Sequence, residues 1–529
     1  MLHARTGLSG MVSAPHHLAA QAGRDILKEG GTAVEAMVAA AATIAVVYPH
    51  MNAIGGDGFW LIAEPGRDPI AIRACGPAAA GATPERYRGL GYETIPARGP
   101  MAALTVAGAV GGWAAALEAT RDWTARPLPV ARLMADAVHQ ARAGVAVTRS
   151  QAALTASKWA ELATVPGFAE TFAPGGQPPA EGTVLRLPAL ADTLERLGVA
   201  GLDDFYRGDV ARAMAAGLER VGAPVDLADL DAYRAARVAP LSVDLSHGRV
   251  FNHPPPTQGV STLMILGLFD RLGVREADGF AHVHRLVEAT KRAFLLRDAH
   301  VGDPNRMSVS AADWLTPTAL NAEARRIHPS RALPWPYTGQ EGDTVWMGAA
   351  DREGRVVSYI QSVYWEFGSG VVVPDTGVIW QNRGAGFSLD AGPNQLGPGR
   401  LPFHTLNPSL ARLKDGRVLA FGTMGGEGQP QTQAAVFTRH VVFGQDLQAA
   451  VTAPRWLLGR TWGAETTTLK LENRFAPGLY DQLRAALHVV EVVGPFEDMM
   501  GHAGAVCVLP TGGMLGAADP RGDGACAAC

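Results

Sequence analysis

Apolar residues recur at helical spacing through Leu18, Ala22 and Ile26, and the pattern stops at Gly30-Gly31. This spacing predicts a helix over 18–29. Thr32 stands three residues before Glu35, the spacing of a capping box, ahead of an alanine-rich stretch that is apolar on every side. Such a helix belongs between layers of structure. MNAIGGDGFWLI (51–62) reads as a glycine turn entering a strand, with the paired glycines allowing a close backbone approach. From about 100 to 330, Ala/Leu/Arg helices alternate with Pro/Gly loops, without internal repeat or low-complexity tract, and 282–300 form one long amphipathic helix. Strand patterns lie at 58–73 and 241–251, and then thickly after 344, at 371–374, 377–381, 418–422, 489–493 and 503–509, with a helix over 431–438. A layered body of helices and sheets is indicated.

The change of pattern falls in EGDTVWMGAADREGRVVSYIQSVYWEFGSG (341–370). Before it runs SRALPWPYTGQEGD, polar and broken by Pro334 and Pro336, which should form no packed element. After it, two β-rich runs flank Asp351–Arg355, which suits a three-residue hairpin loop with Gly354 at positive φ. If Asp351 pairs with Arg355, Thr344 falls opposite Ser362. A threonine at a strand start, after a cleavable loop and facing a second hydroxyl, suggests an N-terminal nucleophile.

Composition narrows the function classes. The chain has 529 residues, 47% hydrophobic and 18% charged, so it folds around a sizeable core. The formal charge is −4 and no run of Lys or Arg suggests a nucleic-acid face. The first residues hold no apolar signal region, and the longest apolar run, 36–48, is too short to cross a bilayer, so no membrane partner is expected. Four cysteines make no disulfide framework, which fits a reducing cytoplasm. Cys526 and Cys529 form a terminal CxxC without a second pair, read as an incidental frayed tail.

Several stretches carry candidate chemistry. No GxSxG elbow is present. GTMGGEGQ (422–429) lacks both GxGxxG spacing and a P-loop lysine. Its Gly425-Gly426 amides suit a developing oxyanion, or simply a tight turn. Arg73 in AIRACGPA is either paired internally or awaits a substrate carboxylate. His284 and Glu288 share one helical face, but without HExxH they read as a polar pair between elements, so no metal site is expected.

Taken in order, these stretches resemble the γ-glutamyltranspeptidase family of N-terminal nucleophile hydrolases. Its markers are SAPHHLAAQAGRDILKEGGTAVEAMVAAA with a following GG (13–56), IRACGPA (72–78), DLADLDAYR (226–234) and PPPTQG (254–259). GDT (342–344), QNRGAGFSLD (381–390), LPFHTLNPSL (401–410), GTMGG (422–426) and APRW (453–456) continue the match almost to the C-terminus. The resemblance implies an α+β fold, a four-layer αββα sandwich, made as a zymogen that cuts itself between Asp343 and Thr344. The large piece would be 1–343 and the small piece 344–529. The two would stay together as a heterodimer, with a dimer of heterodimers left open. By position, Thr344 is the nucleophile and its freed α-amine the base, Ser362 assists, Gly425 and Gly426 form the oxyanion hole, and Arg73 holds the substrate carboxylate.

The departures matter as much. Where the family's transpeptidases grip the glutamate ammonium with an acid, this chain has Gly386, and Arg383, Tyr364 and His404-Thr405 replace other substrate ligands. QSVYWEFGSG and GRLPFHTLNPSLAR look most like the oxamate amidohydrolase branch, which acts in purine-ring catabolism. The resemblance therefore implies hydrolysis of oxamate to oxalate and ammonia without cofactor, with Arg73, Tyr364, Arg383, His404 and Thr405 at the substrate. A γ-glutamyltranspeptidase or glutathione hydrolase, an acylase of another small carboxylated amide, and an uncleaved binding protein remain as alternatives.

Overall fold

In the computed structural model the described residues are 3–335, 343–459 and 467–529. Two seven-stranded sheets lie face to face. One runs Arg5–Gly7, Met514–Ala518, Ala503–Val508, Val418–Thr423, Ser409–Leu413, Gly248–Asn252 and Leu241–Leu245. The other runs Ala525–Ala528, Gly10–Ala14, Asp343–Asp351, Val356–Tyr364, Asp57–Ala63, Ile70–Ala74 and Ala236–Val238. Every pairing within these two sheets is antiparallel.

Side-chain alternation sorts the core into layers. Met11, Phe59, Leu61, Trp346 and Ile360 of the second sheet meet Phe251, Leu410, Ala420 and Val506 of the first. The intervening residues Val12, Trp60, Val345, Met347 and Tyr359 face the helices Ala33–Val47 and Ala109–Ala119. Helices Gly259–Phe269, Phe280–His300 and Gln429–Phe437 cover the outer side of the first sheet. The fold is thus α+β, an αββα sandwich with its site between the sheets. Each sheet contains strands from both before and after residue 344.

Local chemistry explains the main elements. Thr32 accepts from Glu35 N while the Glu35 carboxylate accepts from Thr32 N, so the capping box forms and starts the helix Ala33–Val47, all of whose residues are buried. The hairpin closes as expected, with Asp351 N bonded to Arg355 O and Gly354 at φ 74°. Among the described residues, no helix is long and apolar enough to cross a membrane.

The frayed CxxC tail is not what the structure shows. Ala525–Ala528 is an edge strand on Gly10–Ala14, and the carbonyl of Cys529 accepts from the amides of Leu8, Ser9 and Gly10. Small side chains let it lie flat, and those bonds outweigh the freedom of a chain end. Cys526 faces the inter-sheet core and Cys529 the helical side, so residues three apart on a strand point their thiols to opposite faces. They do not form a chelating pair.

Candidate active site

Thr344 is 1% exposed and sits one residue into the strand Asp343–Asp351. Gly342 and the rest of 336–342 lie outside the described residues. The hairpin pairs in register from Ala350↔Val356 to Val345↔Gln361, then slips so that Asp343 meets Tyr364. Thr344 therefore opposes both Ser362 and Val363, a bulge where strict pairing would have placed Ser362 alone. Tyr364 sits at the slip with φ 84°, a conformation that costs a non-glycine residue about 1–3 kcal/mol. The Ser362 Oγ accepts from Tyr364 N at 2.8 Å, so the proton of its hydroxyl is what it offers other groups. Thr344, Ser362, Asp57 and Arg73 share the strand parity of the inter-sheet residues Trp346, Ile360, Phe59 and Ala71. Alternation aims all four between the sheets.

Asp57, which the sequence reading treated only as part of a glycine turn, is the hub of this space. It is fully buried and is the cross-strand neighbour of Ser362. Gly56, just before it, runs so close to the Ser362 carbonyl that any Cβ would collide with it. Asp57 Oδ1 accepts from Gly76 N (3.2 Å), Gly108 N (3.1 Å) and Gln381 Nε2 (3.1 Å), and Oδ2 lies 3.1 Å from His404 Nε2. The His404 Nδ1 faces Leu406 N at 3.4 Å, which leaves the ring proton on Nε2, directed at Asp57. Burial raises the Asp57 carboxyl to about 7, while Gln381, the two amides and the Arg383 charge pull the other way. His404 is held neutral, chiefly by burial and then by the charge of Arg383.

Arg383 is the least satisfied group of the site. It is 1% exposed, donates through Nη1 to Thr405 Oγ1 at 3.3 Å, and has its guanidinium stacked on the Tyr364 ring. Its Nε and Nη2 find no acceptor among the described residues. A Cβ on Gly386 would come 3.0 Å from that Nη2, so the glycine stands where an acid would pair with Arg383. Gln381 and Asn382 anchor the segment, to Asp57 and Val106 O on one side and to Ala97 O on the other, which turns Arg383 inward. The side chain of Arg73, partly buried at the end of Ile70–Ala74, makes no hydrogen bond among the described residues, and its charge is felt at Cys75, Tyr233 and His253. Two cations thus stand near Asp57, a carboxylate both of whose oxygens already have protein partners.

Across from Thr344 lies the glycine loop. Gly425 (φ 113°) and Gly426 (φ 48°) both adopt left-handed backbone that favours glycine. They lead into Gln429–Phe437, where the first amides have no intrahelical acceptor. Gln258 Nε2 donates to Gly426 O (2.8 Å) and Thr405 O (2.7 Å), while its Oε1 accepts from Arg297, which also pairs with Glu427. Gln429 reaches Thr344 Oγ1 at 3.5 Å and is oriented by Asn407 Nδ2 at 3.1 Å. Gln258, Asn407 and Gln429 are uncharged amides whose pattern in sequence is unremarked. Their signals in sequence are PPPTQG for Gln258, LNPS for Asn407 and GTMGGEGQ for Gln429.

The structure therefore brings Thr344, Ser362, Tyr364, Arg383, Thr405 and His404 into one connected region. It gives His404 Nε2 to Asp57 and the Thr405 hydroxyl to Arg383, so both support the wall of the site. His284 and Glu288 belong elsewhere. With His488 they form a buried group, in which His284 bonds His488 and the His328 carbonyl, and Glu288 pairs with Lys291 and accepts from Leu333 N. The Lys291 ammonium already supplies the positive charge there.

Comparison with known proteins identifies the family. The Gamma-glutamyltranspeptidase family profile matches residues 19–529. The chain is 56% identical over 521 residues, 98% of each chain, to the oxamate amidohydrolase proenzyme of Klebsiella pneumoniae. It is 37% identical to the glutathione hydrolase-like YwrD proenzyme of Bacillus subtilis, again over 98% of both. The cephalosporin acylase of Bacillus halodurans superposes with a TM-score of 0.91 at 34% identity, covering 99% of this chain and 97% of that one. The chain belongs to the γ-glutamyltranspeptidase family of N-terminal nucleophile hydrolases.

Proposed function

We propose that this protein is a self-cleaving amidohydrolase that converts oxamate to oxalate and ammonia. The observation that carries the reading is Arg383, a buried guanidinium whose Nε and Nη2 lack an acceptor among the described residues. A buried charge without partner is costly, and a planar carboxylate is the group its fork fits. With Arg73 it makes a site for a small amide bearing a carboxylate and no ammonium. A γ-glutamyl substrate would need an acid for its ammonium, and Gly386 supplies none while both oxygens of Asp57 are occupied. The 56% identity to an oxamate amidohydrolase proenzyme supports the same substrate.

In the precursor the Thr344 hydroxyl attacks the Asp343 carbonyl carbon. The amide becomes an ester as the Thr344 nitrogen takes a proton, and water opens the ester to leave a new carboxylate at Asp343 and a free α-amine at Thr344. The pieces 1–343 and 344–529 stay together as a heterodimer because each contributes strands to both sheets. The α-amine, with an ordinary pKa of about 7.7–8.0, takes the proton of the Thr344 hydroxyl as that oxygen attacks the amide carbon. Ser362 assists the proton transfer. The Gly425 and Gly426 amides stabilise the oxyanion, held in place by Gln258. The α-amine then gives its proton to the departing nitrogen, ammonia leaves, and water attacks the acyl-threonine to release oxalate.

The test is to incubate purified protein with oxamate, glutamine, glutathione and glutaryl amides and to measure ammonia and cleavage products. Release from oxamate by protein that runs as two pieces supports the reading. Turnover of γ-glutamyl compounds with none of oxamate would replace it.

A further inference from the structure

We propose that Asp57 is the positioning residue of the anion-binding half of this site, setting its preference for a carboxylate over a neutral group. The proposal rests on the amidohydrolase reading above. Asp57 touches no substrate position, since both of its oxygens are committed to the protein. It joins the segments that carry the two cations. Gly76 N belongs to the turn just after Arg73, and Gln381 lies two residues before Arg383. His404 precedes Thr405, the hydroxyl that orients Arg383, and Gly108 N brings in the start of the helix Ala109–Ala119.

The electrostatics of the hub follow from the same geometry. The Asp57 charge partly balances Arg383 without contacting it, which leaves the N–H directions of Arg383 for a substrate. A carboxylate in direct contact with Arg383 would close those directions, and no carboxylate at all would leave the cation unbalanced in the core. Asp57 thus holds the site in a state that is both stable and unfilled. Ser362, its cross-strand neighbour, is placed by the same strand pair, so the anion grip and the nucleophile share one frame.

Asp57→Asn keeps one accepting oxygen for Gly76, Gly108 and Gln381 but sets an N–H against the His404 Nε2–H. The test compares oxamate with oxamide, its uncharged isostere, in wild type and in Asp57→Asn, with complete self-cleavage as the check on folding. The oxamate preference in kcat/KM should shrink by about ten-fold or more, through KM, as expected for loss of a charged contact. An equal loss on both amides, or no loss, overturns the proposal, because a merely structural role does not distinguish them. Should the variant fail to fold, His404→Leu breaks the same link from the other side and should shrink the same preference. Stabilisation against heating by millimolar oxalate separates this proposal from the catalytic reading. If wild type turns over neither amide yet oxalate raises its Tm and not that of Asp57→Asn, the catalytic reading falls and the Asp57 assignment stands. Equal stabilisation of both proteins removes the assignment.

Discussion

The guanidinium carbon of Arg383 lies 3.2 Å from the centre of the Tyr364 ring, and this contact caps a buried cation that pairs with no carboxylate among the described residues. The stacking offsets part of the cost of burying the charge, and a substrate carboxylate would offset more. Arg383→Met should therefore raise the oxamate KM by about ten- to a hundred-fold, the value of one charged hydrogen bond or more. The same change should leave the substrate-free protein as stable or more so, because it removes an unbalanced charge. Steady-state kinetics and thermal melting on one preparation check both. A clear fall in Tm with an unchanged KM would contradict the assignment.

Gly386 tests the other side of the same cation. An acid there would start 3.0 Å from Arg383 Nη2 and could pair with it. Gly386→Asp should lose oxamate turnover through KM, because its own carboxylate competes for Arg383. Addition of glutamine or glutathione shows whether the acid also admits a γ-glutamyl group.

The glycine loop depends on a buried pair remote from the substrate. Arg297 holds both Gln258 and Glu427, and Gln258 holds the Gly426 carbonyl. Arg297→Met removes the Arg297 charge from the buried Glu427 carboxylate, a loss of about 3–5 kcal/mol. A lower Tm should come with a fall in kcat larger than any rise in KM, since the role we propose for the loop is at the oxyanion rather than at the bound ground state.

Asp57 should also write itself into the pH dependence of stability. Its carboxyl is raised by burial from 3.8 to about 7. A raised group favours the folded state fully below about 3.8, and that advantage is lost as pH climbs through about 7. The groups facing it are His404, Gln381, the Gly76 and Gly108 amides, and Arg383. Of these only His404 titrates in the range, and burial keeps it neutral in the fold. The unfolding free energy of wild type should decline relative to Asp57→Asn between pH 4 and 7, by no more than about 1.4 kcal/mol per pH unit. Chemical denaturation across that range reads the difference. A constant difference would mean that Asp57 keeps an ordinary acidity, and a rising one that its acidity is increased by folding.

Much of the fold was legible because local signals agreed with the global pattern. The capping box at Thr32–Glu35 and the loop at Asp351–Arg355 form where spacing puts them. Pairing counted from that loop holds as far as Val345↔Gln361. It slips at Thr344 itself, where Tyr364 takes a left-handed backbone that has no signature in a strand-like run. Asp57 stayed hidden for a related reason. An acid between glycines reads as turn chemistry, and only the tertiary arrangement delivers four donors to it from segments far apart in the chain. Gln258, Asn407 and Gln429 act by hydrogen bonding alone, so neither charge nor periodicity marks them. The C-terminal strand was missed because its small residues give no strand pattern until Gly10–Ala14 lies beside them.

The central claim is that Thr344, once freed, hydrolyses a small carboxylated amide. Ammonia release from oxamate, measured on wild type and Thr344→Ala side by side with gel analysis of each, tests it most directly. Wild type should run as two pieces corresponding to 1–343 and 344–529 and release one ammonia per oxalate formed, while Thr344→Ala should stay full length and release none. Ammonia release by the uncut Thr344→Ala protein, or a fully cleaved wild type inert towards oxamate, would contradict it.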